Sequence, residues 1–239
     1  MVKRMFVMVD GIDGSGKGAI VRFLAKMAAD AAWRFFDVAE FTKQTGSLPK
    51  PNDWNSAKLI ITTEPTYCWI GAAIREELVR NPDYDALTVA EAFAADREIH
   101  YRKIIEPAIR AGKIVVSERG IASSLAYQVA AGIPEETILN LPGNRLALSR
   151  APDYLVIAEI SPGVALKRLS GRSGKQDDSY FERLPFLEKL ASRYGAPEYR
   201  KIFESRGTKI IDLSTEGELG DTENRVRESL WPIVAAKIV

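Results

Sequence analysis

Residues 5–18 read MFVMVDGIDGSGKG, and this short stretch decides the fold. Its first six residues form a mostly apolar run that predicts a buried strand, and the sequence from Gly11 to Lys17 fits the pattern G-x-x-x-x-G-K. An amphipathic pattern over 17–31 predicts a helix directly afterwards. Glycines at this spacing let successive backbone N–H groups surround a phosphate, while the lysine reaches the outer phosphates. The stretch therefore predicts a phosphate-binding loop, the alternative being a glycine-rich turn that binds nothing.

Short apolar runs alternate with longer helical patterns along the rest of the chain. The predicted strands are 5–10, 58–62, 113–117, 154–160 and 208–213. This alternation is typical of a parallel sheet with helices on both faces. We therefore predict an α/β fold of the P-loop NTPase type, in three layers, with a five-stranded parallel sheet flanked by helices and a lid segment. The whole chain, 1–239, is predicted to form a single domain.

Two polar segments interrupt this alternation. Residues 42–57 (TKQTGSLPKPNDWNSA) are rich in turn-forming residues, and we interpret them as a surface insertion. Residues 170–180 (SGRSGKQDDSY) are charged and contain glycine, as expected of a mobile lid. Neither segment has the composition of a linker between domains.

The composition excludes several classes of protein. The chain has 33 Lys and Arg against 32 Asp and Glu, so no overall charge would attract it to nucleic acid or to a membrane surface. Its apolar stretches are far shorter than the ~20 residues that span a bilayer. A single cysteine, Cys68, cannot form an internal disulfide, and a single histidine, His100, cannot build a multi-histidine zinc site. We expect a soluble, cytoplasmic protein that binds neither nucleic acid nor membrane.

The residue after the loop lysine departs from the usual pattern. A Ser or Thr hydroxyl at this position ligates Mg²⁺ in phosphate-binding loops, but here the residue is Gly18. Phosphate binding can survive this change because it depends on the backbone and on Lys17. The placement of the metal is weakened, and Asp13 and Glu118 are the candidates to hold it.

Further motifs follow in a fixed order along the chain. They are Glu64-Pro65-Thr66, Ile70-Gly71, Ile74-Arg75, Phe93-Ala94-Ala95-Asp96-Arg97, Glu118-Arg119, Ser123-Ser124-Leu125-Ala126-Tyr127-Gln128, Pro152-Asp153, Val164-Ala165-Leu166 and Arg168-Leu169. From about residue 5 to residue 200 this order resembles the thymidylate kinases. The resemblance implies ATP-dependent phosphorylation of dTMP to dTDP, with ATP and Mg²⁺ as cofactors, small-molecule nucleotides as substrates, and a homodimer.

The resemblance also implies roles on the acceptor side. Phe93 would stack on thymine, and Arg97 would hydrogen-bond the edge of the base. Tyr127 would pack under the sugar, and Arg119 would clamp the acceptor phosphate. The implied substrate-binding residues are Asp13, Glu64, Phe93, Arg97, Arg119, Ser124, Tyr127 and Gln128.

On the donor side, the resemblance implies that with a glycine at the position of Gly14 the lid supplies the catalytic cation, and the candidates are Arg168, Arg172 and Lys175. The implied catalytic residues are Lys17, Arg119, Arg172 and Lys175. The implied nucleotide-binding residues are Gly11, Asp13, Gly14, Ser15, Gly16, Lys17, Gly18 and Arg168.

Other interpretations stay open. Thr63 stands where the family usually has an arginine, and Glu64 with Trp69 also resembles the deoxynucleoside kinases, in which Glu64 would act as a general base. Gly18 favours a third possibility, a nucleotide-binding regulatory protein with little or no turnover. Phe93 could equally be a core residue, and Arg97 a solvated one.

Overall fold

A computed structural model describes residues 4–171 and 183–236 of the chain. Two of the predicted lid cations, Arg172 and Lys175, lie outside these residues, as does most of the predicted lid segment 170–180.

The described residues form one parallel sheet of six strands in the order β2-β3-β4-β1-β5-β6. The strands are β1 (Met5–Asp10), β2 (Phe35–Asp37), β3 (Leu59–Thr63), β4 (Ile114–Glu118), β5 (Tyr154–Glu159) and β6 (Lys209–Ser214). The predicted α/β class is confirmed, and each predicted strand lies within one residue of its observed bounds.

The predicted number of five strands is wrong, because β2 adds a sixth strand at the sheet edge. It has only three residues, none of which is fully buried, and Phe35 is 43% exposed. So short a segment carries no periodicity that distinguishes a strand from a turn.

Helices cover both faces of the sheet. They are α1 (Lys17–Asp30), α2 (Val38–Thr45), α3 (Trp69–Ala73), α4 (Ala86–His100), α5 (Glu106–Arg110), α6 (Ile121–Ala130), α7 (Glu135–Asn140), α8 (Pro142–Ser149), α9 (Pro162–Ser170), α10 (Leu184–Gly195), α11 (Pro197–Glu204), α12 (Leu219–Arg225) and α13 (Trp231–Ala235). Three π-helical turns continue α3, α4 and α12, over Ile74–Leu78, Tyr101–Ile105 and Val226–Leu230.

The central strand β1 shows why its sequence is apolar throughout. Successive side chains of a strand point to opposite faces of the sheet. Phe6 and Met8 join an apolar cluster with α4, α6 and α10, whereas Met5 and Val7 join a second cluster with α1 and α13. Both faces are therefore covered, and all six residues of β1 are buried.

The surface position predicted for 42–57 is wrong in part. This segment begins with the last turn of α2 and continues through turns, as its composition indicates. However, Thr42, Leu48 and Trp54 are buried, and Leu48 and Trp54 belong to the apolar cluster on one face of the sheet. Single apolar residues among prolines, asparagines and lysines show no pattern from which their burial could be predicted.

Across residues 4–171 and 183–236, no helix is both long and apolar enough to cross a membrane.

Candidate active site

The candidate site lies where β1, β3 and β4 end. Because these strands are parallel neighbours, their carboxyl ends meet at one edge of the sheet. Ligands of open parallel sheets bind in the crevice at this edge. The phosphate loop follows β1, Glu64 follows β3, and Glu118 and Arg119 stand at the end of β4.

The loop from Gly11 to Gly16 has the backbone shape that its glycines predict. Gly14 and Gly16 have φ angles of 78° and 81°, in a region that side-chain-bearing residues rarely adopt. A Cβ atom on Gly14 would lie 2.5 Å from the carbonyl oxygen of Ala165, so the loop can pack against α9 only because this residue is glycine. The hydroxyl of Ser15 is buried and has no hydrogen-bond partner in the described part of the chain.

Lys17 begins α1 and lies beneath the loop. Its ammonium group donates hydrogen bonds to the carbonyl oxygens of Gly11, at 3.0 Å, and Ile12, at 2.7 Å. Burial, together with the positive charge of Arg119, lowers the pKa of Lys17 to about 8. Lys17 is therefore held inside the loop by two carbonyl oxygens, and its surroundings make the charged form easier to lose than in water.

Asp10, the last residue of β1, orients the base of the site. Its buried carboxylate accepts hydrogen bonds from the backbone N–H of Gly11, the hydroxyl of Ser123 and the hydroxyl of Tyr194, each at 2.8 Å. Asp10 is not among the site residues predicted from the sequence. The available signal was a carboxylate that ends an otherwise apolar strand directly before the loop.

Arg119 and Asp13 form an ion pair across the mouth of the crevice. Arg119 also donates a hydrogen bond to the Ser123 hydroxyl at 3.2 Å, and its guanidinium lies 5.4 Å from the centre of the Tyr127 ring. Burial would raise the pKa of Asp13, but the charges of Arg119 and Lys17 and a hydrogen bond from Tyr127 outweigh it and lower that pKa below its ordinary value. The structure thus brings these predicted residues together around one ionised carboxylate.

Arg97 is almost fully buried, at 1% exposure, so it is not the solvated residue of the alternative interpretation. It donates hydrogen bonds to Glu64 at 2.8 Å, to the Ser124 hydroxyl at 2.9 Å, to the Gly120 carbonyl at 3.2 Å and to the side chain of Asn144. A guanidinium has five N–H donors. The four hydrogen bonds of Arg97 already use most of them on protein acceptors. Arg97 therefore joins the loop after β3 to α6 and α8 and has little donor capacity left for a ligand.

Glu64 lies between Arg97 and His100. His100 Nδ1 is 3.1 Å from Glu64 Oε1, and His100 Nε2 is 2.7 Å from the Thr62 hydroxyl. Burial would raise the pKa of Glu64, but the charge of Arg97 and a hydrogen bond from His100 lower it. This carboxylate is consequently a weak base.

Phe93 and Gln128, two residues that are predicted to bind the base, have side chains that could contact a ligand. Phe93 is half-buried and belongs to neither apolar cluster of the described residues. The side-chain oxygen of Gln128 is buried and has no hydrogen-bond partner among those residues. An unsatisfied buried acceptor is unfavourable, so a ligand donor in this place would stabilise the site.

Two cations from other elements contact the loop after β3, and the sequence assigned neither of them a role. Arg75 donates to the carbonyl oxygens of Pro65 and Thr66, at 3.0 and 3.1 Å. The guanidinium carbon of Arg75 and the ammonium group of Lys43 lie 3.9 and 4.3 Å from the centre of the Tyr67 ring. No sequence pattern relates a lysine in α2 to this ring.

Arg168 lines a separate cavity on the other side of the phosphate loop. It donates hydrogen bonds to the carbonyl oxygens of Thr215 and Gly217, at 2.9 and 3.0 Å. The cavity has a volume of about 380 Å³ and extends from Gly16 to Leu219, which is 60% exposed. The cavity is large enough to hold a flat ligand next to the phosphate loop.

The surroundings of Gly18 lack the hydroxyl that holds Mg²⁺ in other phosphate-binding loops. Position 18 has no hydroxyl, and Asp13 is paired with Arg119. Glu118 is the remaining candidate, and a Cβ atom on Gly18 would lie 3.3 Å from its Oε2 and 3.4 Å from a guanidinium nitrogen of Arg22.

Comparisons with known proteins agree with this fold. A family model described as thymidylate kinase matches residues 42–225. The chain is 33% identical to a probable thymidylate kinase of Pyrobaculum aerophilum, over 89% of this chain and 90% of that protein. It is 31% identical to a thymidylate kinase of Caldicellulosiruptor saccharolyticus, over 95% and 96% of the two chains. The crystal structure of a thymidylate kinase from Ehrlichia chaffeensis superposes with a TM-score of 0.60 at 22% identity, covering 95% of this chain and 97% of that one. The chain belongs to the thymidylate kinase family.

Proposed function

We propose that this protein transfers the γ-phosphoryl group of ATP to dTMP and forms ADP and dTDP. The observation that carries the proposal is the convergence of two cations on one crevice. Lys17 lies inside the phosphate loop, and Arg119 lies at the end of the neighbouring strand, close enough to lower the pKa of Lys17. In this arrangement Lys17 would contact the phosphates of ATP, and Arg119 would contact the phosphate of dTMP.

The proposed reaction needs alignment and charge neutralisation rather than a strong base. An oxygen of the dTMP phosphate bonds to the γ-phosphorus, and the bond from that phosphorus to the β–γ bridging oxygen breaks, so that ADP leaves with the electron pair. The acceptor phosphate is already anionic, so no proton has to be removed from it. Lys17 neutralises the donor phosphates, and Arg119 turns its N–H donors to the acceptor phosphate.

We assign the two nucleosides to opposite sides of the loop. Thymine would lie on the Phe93 ring and donate to the unsatisfied oxygen of Gln128, with Tyr127 below the sugar. Adenine would lie in the cavity of Arg168 and Leu219. The homodimer that the family resemblance implies and the cytoplasmic location expected from the composition stay predictions. Because position 18 has no hydroxyl ligand for Mg²⁺, the protein's own charge neutralisation in this reaction falls to Lys17 and Arg119.

The geometry of Glu64 opposes the deoxynucleoside kinase alternative. In that reaction Glu64 would remove a proton from a hydroxyl group. Its two carboxylate oxygens instead contact Arg97 and His100, and its pKa is lowered. A buried carboxylate stabilised in this way is a poor proton acceptor.

A comparison of acceptors tests the proposed function. ADP release would be measured with dTMP, dUMP, dGMP and thymidine, and we expect dTMP to have the highest kcat/KM. Phosphorylation of thymidine but not of dTMP would select the deoxynucleoside kinase. ATP binding without turnover of any acceptor would select the regulatory protein.

We expect Phe93→Ala to raise KM for dTMP about 10-fold with little change in kcat. Base stacking contributes about 1–3 kcal/mol and is present in the ground state and the transition state alike. Steady-state kinetics at varied dTMP measures both constants, and KM for ATP is the internal control. A fall in kcat alone would show that Phe93 acts on the reaction and not on base binding.

We expect kcat/KM for ATP to fall as the pH rises above about 8, because Lys17 loses its charge there in the free protein. The value of kcat should begin to fall only at a higher pH than kcat/KM does, since bound phosphate stabilises the charged form of Lys17. Rates between pH 6.5 and 10, with folding followed by circular dichroism at each pH, measure both profiles. A kcat/KM that stays constant to pH 10 would contradict the position of Lys17 beside the phosphates.

A further inference from the structure

The space over Gly18 is occupied by a guanidinium group. Arg22 lies four residues after Gly18 on α1, and side chains of a helix lean toward its N-terminus. One nitrogen of the Arg22 guanidinium is consequently only 3.4 Å from the point where a Cβ atom of residue 18 would stand. A side chain at position 18 would therefore lie in van der Waals contact with this guanidinium.

Arg22 differs from the other arginines of the site in having no protein acceptor. Arg97, Arg119 and Arg168 all donate to carboxylate or carbonyl oxygens. Within residues 4–171 and 183–236, Arg22 makes no hydrogen bond or ion pair, and it is exposed. Its five N–H donors are available to a ligand at the start of α1.

The position that Arg22 covers is the one at which charge neutralisation is missing. A hydroxyl on residue 18 would bring a metal ion against the β- and γ-phosphates, and no hydroxyl is present. The carboxylate of Glu118 lies 3.3 Å from the same Cβ position and would repel a polyphosphate. The Arg22 guanidinium beside the same position is always charged, and its planar fork matches two phosphate oxygens.

We infer that Arg22 is a phosphate-binding residue whose guanidinium donates to the β- and γ-phosphate oxygens of the nucleotide, in the place where a metal-binding hydroxyl is absent. The inference rests on the proposed binding of ATP at the phosphate loop. It does not depend on which acceptor is phosphorylated.

Nucleotide binding without turnover tests this role. Titration calorimetry would measure the Kd of ATP in EDTA and in saturating Mg²⁺, with no acceptor present. We expect Arg22→Ala to weaken metal-free ATP about 10-fold, as for a lost hydrogen bond to a charged group. The loss in Mg²⁺ should stay under about threefold, because the metal then carries much of the phosphate charge.

Matched variants separate a contact from a general charge effect. Lys26→Ala removes one positive charge from the exposed face of the same helix, where Lys26 pairs with Glu223, and should leave both Kd values within twofold. Arg22→Lys keeps the charge without the planar fork and should give a loss between those of the wild type and Arg22→Ala. Equal Kd values for Arg22→Ala and Lys26→Ala in EDTA would overturn the inference, as would a wild type that does not bind metal-free ATP.

A double-mutant cycle with Gly18→Ser locates the effect. A serine side chain would contact the Arg22 guanidinium and compete with it for the space beside position 18, so Arg22→Ala in the serine background should change the metal-free Kd less than twofold. A tenfold loss in both backgrounds would show that Arg22 acts elsewhere. Failure of these binding results leaves the acceptor comparison unaffected, so the two proposals fail separately.

Discussion

Lys17→Ala is expected to lower kcat at least ~100-fold, a barrier increase of about 2.7 kcal/mol. Lys17 supplies the cation within the predicted loop 11–17, and its ammonium group is held by the carbonyl oxygens of Gly11 and Ile12. No solvent cation can take that place in the same orientation.

The fold should survive the loss of Lys17. Burial holds the pKa of Lys17 at about 8, below its ordinary value, so the folded protein disfavours the charged lysine relative to the unfolded chain. Single-turnover ADP formation with dTMP would measure the loss, and thermal unfolding would check the fold. Lys26→Ala, on the same helix, is the control for a change of net charge. A near-normal rate in a folded Lys17→Ala protein would remove the loop lysine from the mechanism.

Arg119→Ala is expected to lower kcat and kcat/KM for dTMP together, each at least ~100-fold. Arg119 would align the acceptor phosphate and neutralise its charge, and the loss of a charged donor from such a site costs about 100-fold or more. Arg119 also keeps Asp13 ionised, and without it the pKa of Asp13 should rise, because burial then acts with less opposition. The acceptor phosphate would face a carboxylate without its partner.

Two further variants distinguish these effects. Arg119→Lys keeps the charge but loses the fork that contacts Asp13 and Ser123, so its rate should lie between those of the wild type and Arg119→Ala. Asp13→Asn combined with Arg119→Ala removes the unpaired carboxylate and isolates the loss of the cation. Variants that changed only the affinity for ATP would show that Arg119 does not contact the acceptor.

The sequence predicted the central part of the fold because the signals there are local. An apolar run, a glycine-rich loop with Lys17 and an amphipathic helix lie next to one another in the chain, and each predicts its own structure. The five longer strands were located for the same reason. The family resemblance added the residues of the acceptor side, and the family match confirms that resemblance but does not test the individual roles.

The tertiary structure decided which of those residues meet and what they contact. Arg119 reaches Asp13 across 106 positions of sequence, and Arg97 reaches Asn144 across 47 positions. Only packing brings such pairs together, so no spacing could predict that Arg97 is buried. The burial of Trp54 and the guanidinium of Arg22 over Gly18 depend in the same way on neighbours that the chain order does not reveal. Local sequence determines where strands, loops and helices form, whereas the free energy of each polar side chain depends on the partners that the folded chain places around it.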